Sequence, residues 1–221
     1  MTLAVEVFET FAPGAAARVA PELSRARSVI LTGGTTAAAV YSRLPQRCLQ
    51  RGTSIFFSDE RCVPPDHESS NYAMVAATLS LGDDDGIAVH RMRGEDDPGR
   101  AAADYHEAIA PFAAPGFDLV LLGLGADCHV AALFPGSPAL ESSGRLCSAV
   151  DRPDGLRGLT LTPPAFVTAK KVFVIVSGEG KGQAVRRLLR GDEAFRHCPA
   201  RLLTELSDVV LLGDPDSLAL A

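Results

Sequence analysis

Three short runs of this sequence are apolar on nearly every successive residue, and they constrain the fold more than any other feature. The runs are Ser28–Leu31 (SVIL), Asp118–Leu122 (DLVLL) and Val172–Val176 (VFVIV). A strand with one face in water alternates apolar and polar residues, whereas a strand covered on both faces does not. The three runs therefore predict parallel strands that lie between two layers of helices.

Strands and helices alternate along the whole chain around these runs. The predicted strands are Leu3–Phe8, Ser28–Leu31, Ser54–Phe57, Ile87–Arg91, Asp118–Leu122, Leu159–Leu161, Lys171–Val176 and Asp208–Leu212. The predicted helices are Thr36–Arg43, Asn71–Leu79, Arg100–Ile109, Val130–Phe134, Lys181–Leu189 and Pro199–Thr204. This alternation is typical of a doubly wound α/β fold, a Rossmann-like three-layer sandwich with a mostly parallel sheet and helices on both faces.

The chain is expected to form one domain over residues 1–221, because this length suits a single core and no linker or repeat divides it. The polar stretch Gly82–Gly86 (GDDDG) is predicted to be a solvated loop. No apolar run approaches the roughly 18 residues of a membrane span, and the first residues lack the basic start of a signal peptide.

Charge and cysteine usage restrict the kinds of partner and the compartment. The net charge of −6 and the isoelectric point near 5.4 argue against nucleic acid or an anionic membrane as the main partner. An anionic substrate would therefore need a few locally placed basic residues. The 5 cysteines are scattered without a C-x-x-C pair, which favours reduced thiols and a cytoplasmic location.

In doubly wound sheets, ligands bind outside the carboxyl ends of the strands, so the residues that follow each strand are the candidates for a site. After the second strand comes TGGTT, Thr32–Thr36, followed by an alanine-rich helix. Two glycines allow a tight turn, and the start of the helix offers N–H groups and hydroxyls to an anion. The alternative is a plain turn with a threonine cap. The stretch has neither the lysine of a P-loop nor dinucleotide-binding spacing.

A second polar stretch, SDERCVPPDHESSNY, follows the strand Ser54–Phe57. Its residues Asp59, Glu60 and Arg61 come directly at the strand end, where an acid and a base would face the crevice. The alternative is a solvated charged loop closed by two prolines. A further basic candidate is Lys181, because a lysine at the start of a helix opposes the helix dipole unless an anion lies between them.

The third stretch, GLGADCHVAALFPG, places Asp127, Cys128 and His129 between two apolar segments, and three interpretations compete. A metal site is disfavoured because adjacent residues rarely converge on one ion and no second cluster completes the set. A cysteine nucleophile is disfavoured because a neighbouring acid opposes thiolate formation. The remaining hypothesis is an imidazole that transfers protons, tuned by the carboxylate of Asp127.

Together, these stretches resemble the 6-phosphogluconolactonases, which belong to a wider group that includes the glucosamine-6-phosphate isomerase/deaminases. The resemblance rests on four segments that occur in the family's order over nearly the whole chain: TGGTT, SDERCVP with Ser70 and Asn71, GLGADCHVAALFPG, and TLTPPAF with SGEGK. Each motif alone is weak, whereas the four in order are specific.

The resemblance implies hydrolysis of 6-phospho-D-glucono-1,5-lactone in the oxidative pentose phosphate pathway, without cofactor or metal. It implies His129 as general base, with Asp127 beside it and Asp59 lining the pocket. The residues implied to hold the phosphate and sugar are Gly33, Gly34, Thr35, Arg61, Lys181 and Arg157. The expected partner is a small phosphorylated sugar lactone, bound by a monomer or weak homodimer, with no nucleic acid or membrane involved.

Two positions depart from the family pattern. Cys128 stands where the family has a glycine, and a positive φ there would strain the cysteine and re-aim His129. The family's arginine before T-L-T falls on Gly158, while Arg157 lies one residue earlier, and adjacent strand residues face opposite ways. A catalytically impaired sugar-phosphate-binding protein is therefore one alternative.

The other alternative is an aldosamine-6-phosphate isomerase/deaminase. That branch of the group carries a glutamate five residues beyond its histidine, which it needs for ring opening. The corresponding position in this chain is Phe134. The apolar residue favours a lactonase.

Overall fold

The computed structural model describes residues 3–81 and 86–221. The strands are β1 Ala4–Val7, β2 Ser28–Leu31, β3 Ser54–Phe57, β4 Asp59–Arg61, β5 Ala88–Val89, β6 Leu119–Gly123, β7 Cys147–Asp151, β8 Arg157–Leu161, β9 Val172–Ile175 and β10 Val209–Gly213. The α-helices are α1 Phe11–Leu23, α2 Thr35–Tyr41, α3 Asn71–Leu79, α4 Pro98–Ala113, α5 Gly182–Arg190 and α6 Pro215–Leu218. Short 3-10 helices span Pro138–Glu141, Pro163–Ala165, Glu179–Lys181 and Pro199–Glu205.

In the described part of the chain, seven strands form the main sheet in the order β1-β10-β9-β6-β2-β3-β5. Every neighbouring pair in this sheet is parallel. From β2 the chain first builds outward through β3 to β5, and then returns to β6 on the other side of β2. The predicted doubly wound α/β fold is confirmed, and its topological switch point lies between β2 and β6.

Two hydrophobic cores lie on opposite faces of this sheet. Alternate residues of β2 divide between them, since Val29 and Leu31 face one core and Ile30 faces the other. The first core is completed by α1, α2 and α3, and the second by α4, α5, the 3-10 helix Pro199–Glu205 and the strands β7 and β8. Covering on both faces explains why the strand runs are continuously apolar.

A separate antiparallel sheet of three strands, in the order β4-β8-β7, was not predicted. The predicted strand Leu159–Leu161 belongs to it as part of β8 and not to the main sheet. β4 leaves the end of β3 after the single residue Ser58 and pairs with β8, so that Asp59 lies opposite Thr160. The small sheet thereby stands over the carboxyl edge of the main sheet.

The predicted helix Val130–Phe134 is wrong. The segment is a tight turn in which Val130 and Leu133 form an isolated antiparallel bridge. Ala131 has a φ of 52°, which is incompatible with a right-handed helix. A backbone N–H group of the turn finds its acceptor in β8, because the N–H of Ala132 donates to Thr160 Oγ1 at 3.1 Å.

The first helix, α1, was missed because its sequence contains Pro13, Gly14 and Pro21. Proline is tolerated in the first turn of a helix, where the N–H has no partner within the helix. The predicted helix Pro199–Thr204 is a 3-10 helix, Pro199–Glu205. Residues 82–85 of the predicted loop at Gly82–Gly86 lie outside the described residues. No helix in the described ranges has the length and apolar composition needed to cross a membrane.

Candidate functional site

A cavity of about 170 Å³ lies at the switch point of the main sheet. Most of the residues predicted for a site line it: Gly33, Gly34, Thr35, Asp59, Arg61, His129 and Lys181. Asn71 and Arg152 also line it and were not among the predicted site residues. A larger cavity of about 680 Å³ shares only Arg152 with this one, and its lining has no histidine or lysine.

The glycine turn after β2 forms one wall of the cavity. Gly34 has a φ of 93°, a conformation that favours glycine, and it precedes the first turn of α2. Gly33 is required by a close approach, because a Cβ atom built there would lie 1.8 Å from Oδ1 of Asn71. The turn, the start of α2 and the start of α3 are therefore packed tightly together.

Asn71 and Arg61 line the cavity beside this turn. The Arg61 guanidinium donates from Nη1 to the carbonyl of Ser69 at 2.9 Å and also to Oδ1 of Asn71. The amide of Asn71 in turn donates from Nδ2 to the carbonyl of Asp59 at 2.8 Å. These bonds fix Arg61 before any ligand arrives, which reduces the entropy lost on binding.

Glu60 points away from the cavity and clasps the start of α3. Its buried carboxylate accepts bonds from the N–H groups of Asn71 at 2.7 Å, Tyr72 at 2.8 Å and Arg61 at 2.9 Å, and from the Ser70 hydroxyl at 3.0 Å. Burial raises the pKa of Glu60, and these hydrogen bonds act in the opposite direction. Glu60 thus holds β4 against α3, while Asp59 and Arg61 on either side line the cavity.

His129 lies against Asp127, with 2.6 Å between Nδ1 and Oδ1. The hydrogen bond with His129 lowers the pKa of Asp127 to about 2, so its carboxylate is ionised near neutrality and can only accept. Nδ1 therefore carries the proton of this bond, and in the neutral ring Nε2 holds the free lone pair. Asp127 does not line the cavity itself but orients the imidazole that does.

Gly125 allows this pair to form. A Cβ atom built on Gly125 would lie 2.0 Å from Nδ1 of His129 and 2.6 Å from Oδ1 of Asp127. The backbone N–H of Gly125 also donates to the carbonyl of His129 at 2.9 Å. The Gly-x-Gly turn after β6 is thus needed for the acid and the imidazole to meet.

Cys128 has a φ of 75°, as expected if its position requires a positive φ. Its side chain is fully buried and does not line the cavity; Sγ lies 3.6 Å from the carbonyl of Ala184. A hydrogen bond with Cys198 and burial both raise the pKa of the Cys128 thiol. A protonated thiol that faces the core is unsuited to act as a nucleophile.

Lys181 is the last residue of the 3-10 helix that begins after Gly178. Asp214 holds the loop between β9 and this helix in place. The Asp214 carboxylate accepts from the Ser177 hydroxyl at 2.6 Å and from the Gly178 N–H at 3.0 Å. Burial opposes ionisation of Asp214, but hydrogen bonds from Ser177 and Ser217 outweigh it and lower its pKa to about 2. The loop is thereby pinned to the start of α6 with the lysine on the cavity side.

The structure does not bring Arg157 to the cavity. Its side chain is 56% exposed and pairs with Asp151 at 3.1 Å. The arginine that does line the cavity is Arg152, whose side chain is 10% exposed and lies 3.6 Å from Oδ2 of Asp59. No helix or strand pattern indicated Arg152, because its position depends on the unpredicted hairpin of β7 and β8.

The site therefore combines an oriented imidazole with three cationic side chains, Arg61, Arg152 and Lys181, in one small cavity. Among the described residues that line the cavity, Asp59 alone carries a carboxylate. Within residues 3–81 and 86–221, no group of three or more His, Cys, Asp or Glu side chains could hold a metal ion. The arrangement can bind a small anion and move a proton at an adjacent atom.

Comparison with known proteins identifies relatives over most of the chain. Residues 3–211 match the profile of the family described as glucosamine-6-phosphate isomerases/6-phosphogluconolactonase. The curated 6-phosphogluconolactonase of Synechocystis sp. is 34% identical over 196 residues, which cover 85% of this chain and 81% of the relative.

Two solved structures share the fold. The 6-phosphogluconolactonase from Trypanosoma cruzi superposes with a TM-score of 0.84 at 26% identity, covering 99% of this chain and 97% of the other. A monomeric glucosamine-6-phosphate deaminase superposes with a TM-score of 0.84 at 20% identity over the whole of both chains. The second likeness concerns the fold alone.

Proposed function

The chain belongs to the glucosamine-6-phosphate isomerase/6-phosphogluconolactonase family, and we propose that it hydrolyses 6-phospho-D-glucono-1,5-lactone to 6-phospho-D-gluconate with His129 as general base. The observation that carries the proposal is the placement of His129 in one cavity with Arg61 and Lys181. The cations suit a phosphate, and the imidazole suits a reaction that begins with proton removal from water.

The proposed reaction uses Nε2 of His129, because Nδ1 is engaged by Asp127. Nε2 takes a proton from water as the water oxygen bonds to the lactone carbonyl carbon. The bond between this carbon and the ring oxygen then breaks, and the imidazolium returns the proton to the ring oxygen. The new carboxylic acid loses its proton to solvent. Asp127 stabilises the imidazolium that forms between the two transfers.

Phosphate binding at Gly33, Gly34, Thr35, Arg61 and Lys181 would hold the lactone in place for this attack. Two of these groups, Arg61 and the loop of Lys181, are fixed by hydrogen bonds within the protein. Positioning of this kind contributes several kcal/mol to lowering a barrier. The buried Asp59 borders the same space and accepts from the Ser58 hydroxyl at 2.9 Å. We propose that Asp59 orients substrate hydroxyls, for which a carboxylate is a good acceptor.

The contact between Phe134 and His129 supports a lactonase over an isomerase/deaminase. The two ring centroids lie 4.7 Å apart, so the position five residues beyond the histidine offers an apolar ring and no titratable group. The close contact of His129 with Asp127 speaks against an impaired binding protein, because it forms in spite of the strained Cys128.

We further propose that the enzyme acts in the oxidative pentose phosphate pathway and in the cytoplasm. All five cysteines are free, which supports a reducing compartment. We propose that the chain acts as a monomer or weak homodimer. The proposed partner is the phosphorylated sugar lactone, with no role for nucleic acid or a membrane.

The test is the rate of lactone hydrolysis by the purified chain, corrected for spontaneous opening and compared with that of His129→Ala. Loss of a general base is expected to lower kcat by about 10²- to 10⁴-fold. The affinity for 6-phosphogluconate, measured by calorimetry, is expected to stay within about threefold of the original, because the phosphate contacts remain.

His197→Ala is the matched control, since this exposed histidine does not line the cavity. It should leave the rate unchanged. Undiminished turnover in His129→Ala would remove His129 from its role as base. Release of ammonia from glucosamine 6-phosphate by the unaltered chain would replace the lactonase with the deaminase.

A further inference from the structure

We propose that Arg152 is a substrate-binding residue of this site that contacts the phosphate group, and that Gly158 makes room for it. The proposal rests on the proposed lactonase function and adds a residue to it. Arg152 lies at the start of the turn between β7 and β8, yet its side chain is only 10% exposed and lines the cavity with Arg61 and Lys181.

The turn between β7 and β8 fixes the backbone of Arg152. Its N–H donates to the carbonyl of Leu156 at 3.0 Å, and its carbonyl accepts from the N–H of Gly155 at 3.1 Å. Gly155 has a φ of 83°, which closes the turn tightly. The side chain therefore starts from a defined point and extends back along β8 toward the cavity.

Gly158 leaves open the path that the Arg152 side chain follows. A Cβ atom built on Gly158 would lie 2.9 Å from Cδ and 3.3 Å from Cγ of Arg152. Any side chain at position 158 would therefore start in the space that the stem of Arg152 fills. The neighbouring Arg157 extends to the opposite side of β8, toward Asp151 and solvent.

The contacts of the guanidinium leave its outer nitrogens available to a ligand. Nε donates to Oδ2 of Asp154 at 3.1 Å, and the group lies over the ring of Phe134 with Cζ 5.5 Å from the ring centroid. Nη1 is 3.6 Å from Oδ2 of Asp59, beyond hydrogen-bond distance. Within the described residues, neither Nη1 nor Nη2 makes a hydrogen bond.

The outer nitrogens of this mostly buried guanidinium make no hydrogen bond within the described residues, so they are strong donors to an anion that enters the cavity. The planar fork of arginine matches two oxygens of a phosphate, which carries about two negative charges near neutrality. The ring of Phe134 contacts both groups, with its centroid 5.5 Å from Cζ of Arg152 and 4.7 Å from the centroid of the His129 ring. Arg152 can therefore hold the phosphate while the reacting carbonyl lies near the imidazole.

The experiment compares Arg152→Ala and Arg152→Lys with the unaltered enzyme on the phosphorylated lactone and on unphosphorylated glucono-1,5-lactone. Loss of charge-assisted bonds to phosphate is expected to raise KM for the phosphorylated lactone by about 10- to 100-fold, with kcat changed much less. The lysine variant should recover part of the loss, because it restores the charge without the fork. Activity on the unphosphorylated lactone should fall much less than activity on the phosphorylated one.

Arg145→Ala is the control, because Arg145 is exposed and lies outside the cavity. Calorimetric titration with inorganic phosphate gives a readout that does not depend on turnover. Weaker phosphate binding by Arg152→Ala would support the proposal even if the unaltered chain proved to have no lactonase activity. An unchanged phosphate affinity and KM in Arg152→Ala would overturn it and leave the proposed function standing.

The role of Gly158 is tested by a double-mutant cycle. Gly158→Ala places a methyl group against Cδ of Arg152, so it should raise KM for the phosphorylated lactone. The same substitution in the Arg152→Ala background should add less, since the stem that it displaces is absent and only the 3.1 Å approach to the Glu60 carbonyl remains. Additive effects of the two substitutions, or an equal loss on both lactones, would contradict the proposed arrangement.

Discussion

The contact of 2.6 Å between His129 Nδ1 and Asp127 Oδ1 determines which imidazole nitrogen can act as a base. The ionised Asp127 accepts the proton of Nδ1, and this leaves the lone pair on Nε2. A single hydrogen bond outside the cavity therefore sets the protonation pattern inside it. Gly125 makes the contact possible by lacking a side chain.

Asp127→Asn tests this coupling. An asparagine can donate to Nδ1 and so stabilise the wrong tautomer, and it no longer stabilises the imidazolium. We expect kcat for the lactone to fall by at least about 100-fold. Steady-state kinetics would measure the fall, and calorimetry should show 6-phosphogluconate binding within about twofold of normal. A kcat equal to that of Asp151→Asn, an exposed control, would contradict the assignment.

Cys128→Ala tests whether the thiol takes part in the chemistry. The side chain is buried away from the cavity, so kcat should stay within about twofold of normal, and stability should fall by about 1 kcal/mol for the lost packing. Cys128→Gly relieves a backbone strain of about 1 kcal/mol at φ 75°. It also raises the conformational entropy of the unfolded chain, which lowers the stability by a similar amount. The two variants should therefore unfold at similar urea concentrations. A lost kcat with retained binding would implicate the thiol.

The sequence allowed some of the site residues to be identified, for a physical reason. Thr35 comes shortly after β2, Arg61 shortly after β3, and His129 shortly after β6. These three strands are parallel, so their carboxyl ends meet at one edge of the sheet. Arg152 was not predicted, because its side chain reaches the cavity from an antiparallel hairpin and not from the end of a parallel strand. Whether Glu60 points into the cavity depends on its four hydrogen bonds to α3 and the residues beside it, which no local pattern reveals.

At the scale of the elements, local patterns identified the strands of the main sheet but only part of one strand, β8, of the small sheet. β4 consists of Asp59, Glu60 and Arg61, which is a charged triplet typical of a loop. It is a strand because Glu60 finds donors at the start of α3 and because β8 supplies the pairing partner. Both reasons are tertiary contacts, and such contacts override local propensity.

Asp214 provides a test at this scale, because it pins the loop of Lys181 to α6. Its folded pKa of about 2 lies below the ordinary value near 4, so its stabilising effect is present above about pH 4 and is lost as the pH falls toward 2. Asp214→Asn should therefore lower the free energy of unfolding at pH 7, and the difference should shrink between pH 4 and pH 2.

Urea unfolding at a series of pH values measures this difference. Asp192→Asn, at an exposed position, is the control and should follow the unaltered protein throughout. The Asp214 variant should also show a raised KM, since the loop that carries Lys181 is less firmly held. A stability difference that stays constant from pH 7 to pH 2 would mean that the charge of Asp214 is not responsible.

For the whole molecule, the main sheet joins two cores that are otherwise separate. In the described part of the chain, every buried hydrophobic strand residue contributes to one core or the other, as Val29 and Ile30 illustrate, so neither core can form without the sheet. The expectation of a single domain over residues 1–221 therefore predicts one cooperative unfolding transition. The chain has no tryptophan, but Tyr41 reports on one core and Tyr105 on the other.

Urea titration followed by far-ultraviolet circular dichroism and by tyrosine fluorescence tests this prediction. The two transitions should coincide in midpoint and steepness for the unaltered protein. The substitutions Tyr41→Phe and Tyr105→Phe each remove the buried tyrosine of one core. In each variant, the remaining tyrosine fluorescence and the circular dichroism should follow the same normalised unfolding curve. Transitions that separate would indicate two units that unfold independently.

The packing of Gly33 against Asn71 has a consequence for how variants of this chain should be interpreted. A methyl group at position 33 would collide with the Asn71 amide that accepts a hydrogen bond from Arg61, so a change in the glycine turn would displace this cation. Such a variant would mimic an arginine defect although every charged residue remained in place. Substitution of a glycine in this site can therefore impair ligand binding as readily as substitution of a charged side chain.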